Sequence, residues 1–239
     1  MLAKDVVAGY AGRVRFVNED YGNSRLAARY GIKRYPVIFV DDALLARPED
    51  FGGWGMEKGK YHPWQAAASH ARFKADLKRQ IDLTLRGRAR TAQPALPETG
   101  SELVALPPFD ATDLSGQKLE AADFAGRVTI VEFWATWCGP CRSTLGWLGA
   151  LKQRYGAQVE VVTVAVESEE AEVRQQITAL AQPLRVVLGT ETLAAKFGGI
   201  TSVPTMFVFD RQGRPVRVFY GAPADLHLQA ESLLRTLLK

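Results

Sequence analysis

The sequence predicts an α/β protein whose central mixed sheet is covered by helices on both faces. Short apolar runs rich in β-branched residues alternate with segments of helical periodicity, which is typical of this class. The run Val128–Trp134 consists of β-branched and aromatic residues except at Glu132, as expected for a strand that is buried on both faces. Two further strands joined by a short turn, and a last helix, close the chain.

The remaining elements of this part of the chain follow from the same patterns. We predict strands at 128–134, 159–166, 184–188, 205–210 and 216–220, and helices at 169–180, 192–197 and 224–238, besides a helix that begins at Cys138. Before the first of these strands, Phe109 and Leu119 flank a turn at 113–117, which indicates a hairpin.

Cys138 stands where the strand 128–134 gives way to a helix. An apolar stripe marks that helix: Leu145, Leu148 and Leu151. If Cys138 is the N-cap, Cys141 is the third helical residue, and the free N–H groups of the first turn face the Cys138 sulfur. Those donors and the positive helix end favour the thiolate, which lowers the pKa of Cys138 and makes it a nucleophile. Pro140 suits the first turn, where a missing N–H does no harm.

Other uses of two cysteines fit less well. A purely structural disulfide across so short a loop should stabilise the fold by only about 2 kcal/mol in the chain-entropy model. A zinc site needs about four ligands, and the sequence has no second cysteine pair. Haem attachment needs a histidine where Arg142 follows Cys141. We therefore predict thiol–disulfide redox chemistry without a metal or an organic cofactor.

The composition argues against several other classes of protein. The 239 residues are 47% apolar, as in ordinary globular proteins, and the net charge is only +4. Arg and Lys are scattered along the chain, so nucleic-acid binding is not indicated. No apolar run is long enough to span a membrane, and Lys4 and Asp5 interrupt any signal-peptide core. The three histidines are far apart in sequence, and we interpret them as structural or surface residues: His62, His70 and His227.

The chain divides into a smaller domain at 1–86, a linker at 87–102 that is rich in Pro and Gly, and a main domain at 103–239. The predicted elements of the smaller domain are a helix at 2–10, a strand at 14–17, a helix capped by Asn23 or Ser24, a strand at 37–40 and a helix at 69–85. The last helix carries an apolar face: Phe73, Leu77, Ile81 and Leu85.

The two domains share an internal repeat. Residues 26–41 resemble residues 193–210, with Gly199 as one extra residue in the second copy. Each copy has a helix, a short loop, an apolar residue before a proline, and a strand. Pro36 and Pro204 occupy the same place in the two copies.

The repeat also shows what the smaller domain lacks. Cys138 lies 66 residues before Pro204, and the same interval before Pro36 would fall about 30 residues upstream of Met1. We therefore expect either a truncated domain, from which a signal sequence could also be missing, or a domain that never had a redox site.

Two motifs together resemble the thioredoxin superfamily: Trp137-Cys138-Gly139-Pro140-Cys141 and Val203-Pro204-Thr205. The segment 133–137, the hairpin before it and the insertion at 168–188 are most similar to TlpA-like disulfide reductases. The resemblance covers about residues 103–239 and implies a thioredoxin fold there. Residues 1–85 resemble the same superfamily more weakly, which implies a second, incomplete thioredoxin-like domain without cysteines.

The resemblance implies roles for individual residues. Cys138 matches the attacking thiol, Cys141 the resolving thiol, and Glu132 the buried acid that accepts or relays the Cys141 proton. Pro204 matches the cis-proline of the superfamily, and the Val203 backbone is expected to pair with an extended substrate segment. The residues expected to contact substrate are Trp137, Gly139, Pro140, Val203 and Pro204.

Some positions depart from the family pattern. Thioredoxins carry Asp, and many TlpA-like proteins Asn, where this chain has Glu132. A proline usually kinks the active-site helix of TlpA-like proteins where this chain has Gly146. Tyr35-Pro36 matches the cis-proline position in the smaller domain, where no thiols are near, so a structural turn is expected.

The resemblance implies a protein disulfide reductase that acts on protein disulfides and is recharged by an upstream thiol electron donor. A disulfide oxidase or isomerase is one alternative. Another is a docking module that uses the smaller domain, whose stretch 51–64 is rich in aromatic residues. TlpA-like proteins usually work outside the cytoplasm, which implies a periplasmic or other extracytoplasmic location. The cytoplasm stays open as an alternative, because the chain shows no export signal, and the sequence also leaves the oligomeric state open.

Overall fold

The computed structural model describes residues 2–19, 26, 30, 32, 35–56, 58–87 and 105–239. The chain divides into two compact units, Met1–Glu98 and Thr99–Lys239, which we call the first and the second unit. No helix in the described ranges combines the length and the apolar character that crossing a bilayer requires.

The first unit packs two helices against a small antiparallel sheet. Its elements are α1 (Leu2–Ala8), β1 (Ile38–Val40), β2 (Ala43–Ala46), a 3-10 turn (Pro48–Phe51) and α2 (Ala67–Leu85). Its buried apolar residues are Val6, Tyr10, Val40, Ala46, Tyr61, Phe73, Leu77 and Ile81. The predicted helix at 2–10 and strand at 37–40 are thus confirmed, with slightly shorter bounds.

The aromatic stretch of the first unit folds over its own core. Tyr61 is fully buried, and its ring meets the Phe73 ring of α2 edge-on, with centroids 5.3 Å apart. Phe51 and Trp64 contact the same Phe73 ring at 5.9 and 5.5 Å. These rings therefore contribute to the stability of the first unit itself, through burial and through favourable ring geometry.

One prediction for the first unit is wrong. Residues 14–17 form no strand, because alternation of apolar residues alone does not supply a partner strand to hydrogen-bond with. The predicted helix at 69–85 is confirmed as α2. Phe73, Leu77 and Ile81 of its apolar face are buried, whereas Leu85, at the last position of the helix, is 43% exposed. The helix expected after Asn23 or Ser24 and most of the linker at 87–102 lie outside the described residues.

The second unit alternates strands with helices, as predicted. Its elements are β3 (Val128–Trp134), α3 (Gly139–Tyr155), β4 (Val159–Ala165), α4 (Glu170–Leu180), β5 (Arg185–Leu188), α5 (Glu191–Lys196), β6 (Thr205–Phe209), β7 (Pro215–Tyr220) and α6 (Leu226–Leu237). The hairpin expected between Phe109 and Leu119 is present as a single antiparallel bridge between Thr112 and Lys118, closed by a turn in which the Asp113 N–H donates to the Gln117 carbonyl at 2.9 Å.

The five strands form one mixed sheet in the order β5-β4-β3-β6-β7. β3 lies in the middle, parallel to β4 and antiparallel to β6, so all seven of its residues are buried. One face of the sheet packs against α3 and α6 through Leu148 and Leu234. On the other face the Phe133 and Phe207 rings contact Phe197, which follows α5. Both faces are therefore covered, as the sequence predicts.

The outer edge of β5 is paired by the segment before β3. Asp113 forms an isolated antiparallel bridge with Val187, and the Leu114 N–H donates to the Val186 carbonyl at 2.8 Å. Arg185 lies at 3.1 Å from Asp113 and at 2.8 Å from Asp123 in ion pairs that hold the same segment in place. The edge strand thus has backbone partners on both of its sides.

Candidate active site

The centre of the second unit is the junction between β3 and α3. Cys138 is the N-cap of α3 and has an extended backbone conformation, and its sulfur accepts a hydrogen bond from the Cys141 N–H at 3.2 Å. Pro140 lies in the first helical turn. The local geometry predicted from the Cys-Gly-Pro-Cys spacing is therefore confirmed, and the donors of the helix N-terminus face the Cys138 sulfur.

Cys138 and Cys141 form a disulfide with their Cα atoms 5.4 Å apart, so the structure shows the oxidised state. Cys138 retains 5% of its surface exposed, whereas Cys141 is completely buried. An incoming thiolate or disulfide therefore reaches Cys138 before Cys141, which agrees with the roles that the family resemblance implies for the two sulfurs.

The loop before β6 lies against the cysteines. The Val203–Pro204 peptide bond is cis, as expected, and the Val203 side chain packs against the apolar cluster that contains Cys138, Cys141 and Trp134. The Pro204 carbonyl accepts a hydrogen bond from the Gly221 N–H at 2.8 Å, which ties the loop to the end of β7. Tyr35–Pro36 in the first unit is also cis, so the two copies of the repeat share this feature.

Glu132 is a fully buried acid in the middle of the sheet. Burial raises the pKa of Glu132 to about 8, although a hydrogen bond with Thr144 acts in the opposite direction. That hydrogen bond joins the Thr144 hydroxyl of α3 to Glu132 Oε1, and the same hydroxyl also lies 2.9 Å from the Cys141 carbonyl oxygen. Among the described residues Glu132 Oε2 has no hydrogen-bond partner.

Thr144 is the residue of this site that the sequence analysis missed. It lies three residues after Cys141, on the same face of α3 as the buried Leu145 and Leu148. A polar residue within an otherwise apolar helix face, close to a buried acid on the preceding strand, is a signal that sequence reasoning can use.

Trp137 is 64% exposed beside the disulfide, as expected. Its Nε1 atom donates to the Glu167 carbonyl at 3.3 Å. Trp137 lines a groove of about 780 Å³ together with Arg142, and Glu167, Glu169 and Glu172 form its acidic wall. An aromatic side chain at the mouth of a polar groove provides a flat surface on which a polypeptide substrate can pack.

A second cavity, of about 640 Å³, lies along α4 and β5. Four of the charged residues that line it pair with one another: Arg185 binds Asp113 and Asp123, and a more distant contact of 3.9 Å joins it to Glu160. Within the described ranges no group of three or more His, Cys, Asp or Glu side chains is arranged to hold a metal ion.

The chain is similar to known proteins over the second unit. The model of the AhpC/TSA family matches residues 104–217. The thiol-disulfide oxidoreductase ResA of Bacillus thuringiensis is 30% identical over 135 residues, which cover 55% of this chain and 75% of that protein. ResA of Bacillus subtilis is 28% identical over 129 residues, which cover 54% of this chain and 72% of that protein.

Solved structures show the same fold. A thiol:disulfide interchange protein of the thioredoxin family from Chlorobium tepidum superposes with a TM-score of 0.53 and 25% identity, covering 59% of this chain and all of that one. A DsbE-like protein from the same organism gives a TM-score of 0.52 and 24% identity, covering 56% of this chain and 96% of that chain. The thioredoxin fold expected for residues 103–239 is therefore confirmed.

Proposed function

Because the chain belongs to the family of the ResA-like thiol-disulfide oxidoreductases, we propose that it reduces disulfide bonds in other proteins through Cys138 and Cys141. The observation that carries the proposal is the position of Cys138 at the N-cap of α3, where a backbone N–H donor faces its sulfur. Such donors stabilise a thiolate, which is the form that attacks a disulfide.

The first chemical step joins enzyme and substrate. In the reduced enzyme the Cys138 thiolate attacks one sulfur of the substrate disulfide, which forms a mixed disulfide and releases the other substrate sulfur as a thiolate. The greater exposure of Cys138 supports its role as the attacking sulfur, since Cys141 has no exposed surface.

The second step releases the substrate. The Cys141 thiol gives its proton to the Glu132 carboxylate, and the resulting thiolate attacks the Cys138 sulfur. The bond between Cys138 and the substrate breaks, the second substrate thiolate leaves, and the internal disulfide forms. Two electrons have then passed from the enzyme to the substrate. Burial of Glu132 supports its part in this step, because a carboxylate without water around it binds a proton readily.

The substrate is proposed to lie across the exposed edge of the site. Trp137, Gly139 and Pro140 contact it from the active-site motif, and the Val203 backbone next to Pro204 pairs with an extended segment of it. Packing of Val203 against the cluster that contains both cysteines supports this arrangement. An upstream thiol protein then reduces the internal disulfide and restores the enzyme.

The direction of electron flow is a separate part of the proposal. Gly-Pro between the cysteines resembles the reducing branch of the superfamily. We therefore expect a reduction potential of about −270 mV, whereas a strong oxidant has a potential of about −120 mV. Measurement of the potential against glutathione separates a reductase from an oxidase or isomerase. We further propose an extracytoplasmic location, as is usual for TlpA-like proteins, and fractionation of cells that produce the native protein tests it.

Cysteine substitutions test the roles of the two sulfurs. Cys138→Ser should abolish dithiol-driven reduction of insulin, whereas Cys141→Ser should accumulate mixed disulfides that a non-reducing gel separates. Ser143→Ala, at an exposed position of the same helix, is the matched control and should keep full activity. Full activity of Cys141→Ser, or residual turnover by Cys138→Ser, would contradict the assignment.

A further inference from the structure

The Thr144 hydroxyl lies between two acceptors. It is hydrogen-bonded to Glu132 Oε1 on one side, and its distance to the Cys141 carbonyl oxygen on the other side is 2.9 Å. Thr144 is 2% exposed, so bulk water does not replace either contact. The buried acid of β3 and the first turn of the active-site helix are thereby joined through a single oxygen atom.

A threonine hydroxyl has one proton and can donate to only one acceptor at a time. If Glu132 is ionised, both neighbours of Thr144 are acceptors, and one of the two contacts lacks a proton. If Glu132 is protonated, its O–H donates to Thr144, and the Thr144 O–H donates to the Cys141 carbonyl. Only the protonated acid therefore satisfies the complete chain of hydrogen bonds, and buried polar groups are normally satisfied in this way.

The surroundings of Glu132 favour the same protonation state. Its neighbours in the sheet register are the uncharged Thr163 of β4 and Met206 of β6, while the apolar Leu148 of α3 and Leu234 of α6 pack on this face of the sheet. Of the titratable residues of α3 that precede Thr144, Cys141 is held in the disulfide and Arg142 has an exposed side chain. No charged side chain among the described residues contributes to the shift of the Glu132 pKa.

We propose that Thr144 is a positioning residue that holds the Glu132 carboxyl group against the first turn of α3 in both redox states. Its hydroxyl donates to the carboxylate before the second step and accepts from the carboxylic acid afterwards, so that Glu132 takes up and stores the proton released by Cys141. The inference rests on the proposed function, since it assigns a destination to the proton of the second step. It adds Thr144 to the residues that govern this reaction.

The balance of electrons and protons in the reaction is consistent with storage of the Cys141 proton on Glu132. The reduced enzyme begins with a Cys138 thiolate, a Cys141 thiol and a Glu132 carboxylate. After the second step it holds the disulfide and a Glu132 carboxylic acid, and the two substrate sulfurs have left as thiolates. The two electrons have gone to the substrate, and the proton has moved from Cys141 to Glu132. Reduction by the donor thiol reverses the transfer and returns the proton to Cys141.

Removal of the Thr144 hydroxyl should therefore change the rate of the second step, in which Cys141 attacks the mixed disulfide, and leave the rate of the first step unchanged. The hydrogen bond from Thr144 lowers the pKa of Glu132 against the effect of burial. Thr144→Val has nearly the same shape but no hydroxyl, so Glu132 should keep its proton to higher pH. A larger fraction of the reduced enzyme should then hold a Glu132 that is already protonated and cannot accept the Cys141 proton. Thr144→Ser keeps the hydroxyl and serves as the conservative variant.

The kinetic test uses a single turnover of the reduced full-length chain with 5,5′-dithiobis(2-nitrobenzoate). Attack by Cys138 releases one coloured thiolate and attack by Cys141 releases the second, so each step is observed separately. We expect Thr144→Val to slow the second release about tenfold at pH 7 and to shift its pH midpoint upward, with the first release unchanged. Thr144→Ser should behave as the wild type. Equal slowing of both releases, or an unchanged pH midpoint, would show a merely structural role and overturn the proposal.

Infrared difference spectroscopy tests the stored proton directly. The oxidised wild type at pH 6 should show the carbonyl band of a buried carboxylic acid, which disappears with a midpoint at about pH 8 and is missing from Glu132→Gln. In Thr144→Val the midpoint should move upward. Absence of the band from the oxidised wild type would overturn the proposal, even if the protein reduces disulfides. A chain that shows the band but reduces no disulfide would instead overturn the proposed function.

Discussion

The indole nitrogen of Trp137 donates a hydrogen bond to the backbone carbonyl of Glu167 at 3.3 Å, and so joins the active-site loop to the loop before α4. Two contacts of Thr136 strengthen the connection. Its N–H donates to the Ser168 hydroxyl at 2.9 Å, and its own hydroxyl donates to Glu172 at 2.8 Å. The ring of Trp137 is thus held in place beside the disulfide although most of its surface is exposed.

The exposure of Trp137 predicts a role in binding protein substrates. Trp137→Ala should lower kcat/KM for insulin about tenfold, because the loss of an exposed aromatic anchor typically costs about 1–2 kcal/mol of binding free energy. The rate with a small aromatic disulfide should change less than about twofold. Leu228→Ala is the control for a general surface effect, because it removes from α6 the most exposed large apolar side chain among the described residues. An equal loss with both substrates would contradict a role in docking.

The raised pKa of Glu132 predicts a stability that falls as pH rises. Below pH 4.5 the group is protonated in both folded and unfolded chains, but between pH 4.5 and about pH 8 only the folded chain keeps the proton. The folded state then binds more protons, so the free energy of unfolding decreases with pH, by about 3 kcal/mol from pH 4.5 to pH 7. Above about pH 8 this contribution should be constant.

Glu132→Gln provides the comparison, because an amide does not titrate. Urea unfolding of the oxidised proteins at several pH values measures the effect. The free energy of unfolding of the wild type should decrease relative to that of Glu132→Gln as the pH rises from 4.5 to about 8. A constant difference from pH 5 to pH 8 would show that Glu132 is already ionised in the folded protein.

Two glycines of α3 make a matched pair for helix stability. A Cβ atom at Gly146 would meet no atom within 4 Å, whereas at Gly149 it would lie 2.5 Å from the Cβ atom of Gln182. Gly146→Ala should therefore stabilise the protein by about 0.5–1 kcal/mol through helix propensity. Gly149→Ala should destabilise it by about 1–3 kcal/mol through overpacking. Thermal unfolding measures both, and a loss of stability in Gly146→Ala would show that the helix needs a glycine there.

The division into two units predicts that residues 99–239 fold and react without the first unit. This fragment contains the whole five-stranded sheet and the disulfide. Its turnover of a small aromatic disulfide should equal that of the full chain within about twofold, because both sulfurs and Glu132 are retained. Mixed-disulfide capture by Cys141→Ser, with and without residues 1–98, tests the docking alternative. Loss of captured proteins in the fragment would support docking by the first unit.

Local features of the site were predictable from the sequence. The role of Cys138 as N-cap depends on neighbouring residues and on helix geometry alone, so its spacing from Cys141 is sufficient to place it. The burial of β3 follows from its apolar composition. The cis bond before Pro204 was expected from the family resemblance, since composition and periodicity do not specify it.

Features that depend on packing between distant segments were not predictable. The contact between Glu132 and Thr144 requires the position of α3 across the sheet, and the bonds of Thr136 cross more than 30 residues of chain. Residues 14–17 show the reverse case: their alternating pattern suits a strand, but a strand forms only where a second one supplies the hydrogen-bonding partners.

The pairing of Asp113 and Leu114 with β5 has a consequence for the behaviour of the protein at high concentration. A bare strand edge invites another chain to extend the sheet, which is a common start of aggregation. Here the backbone at Val186 and Val187 is already engaged, and Arg185 and Asp113 place charges along the same border. This side of the sheet is therefore less open to pairing with a second chain than a bare strand edge would be.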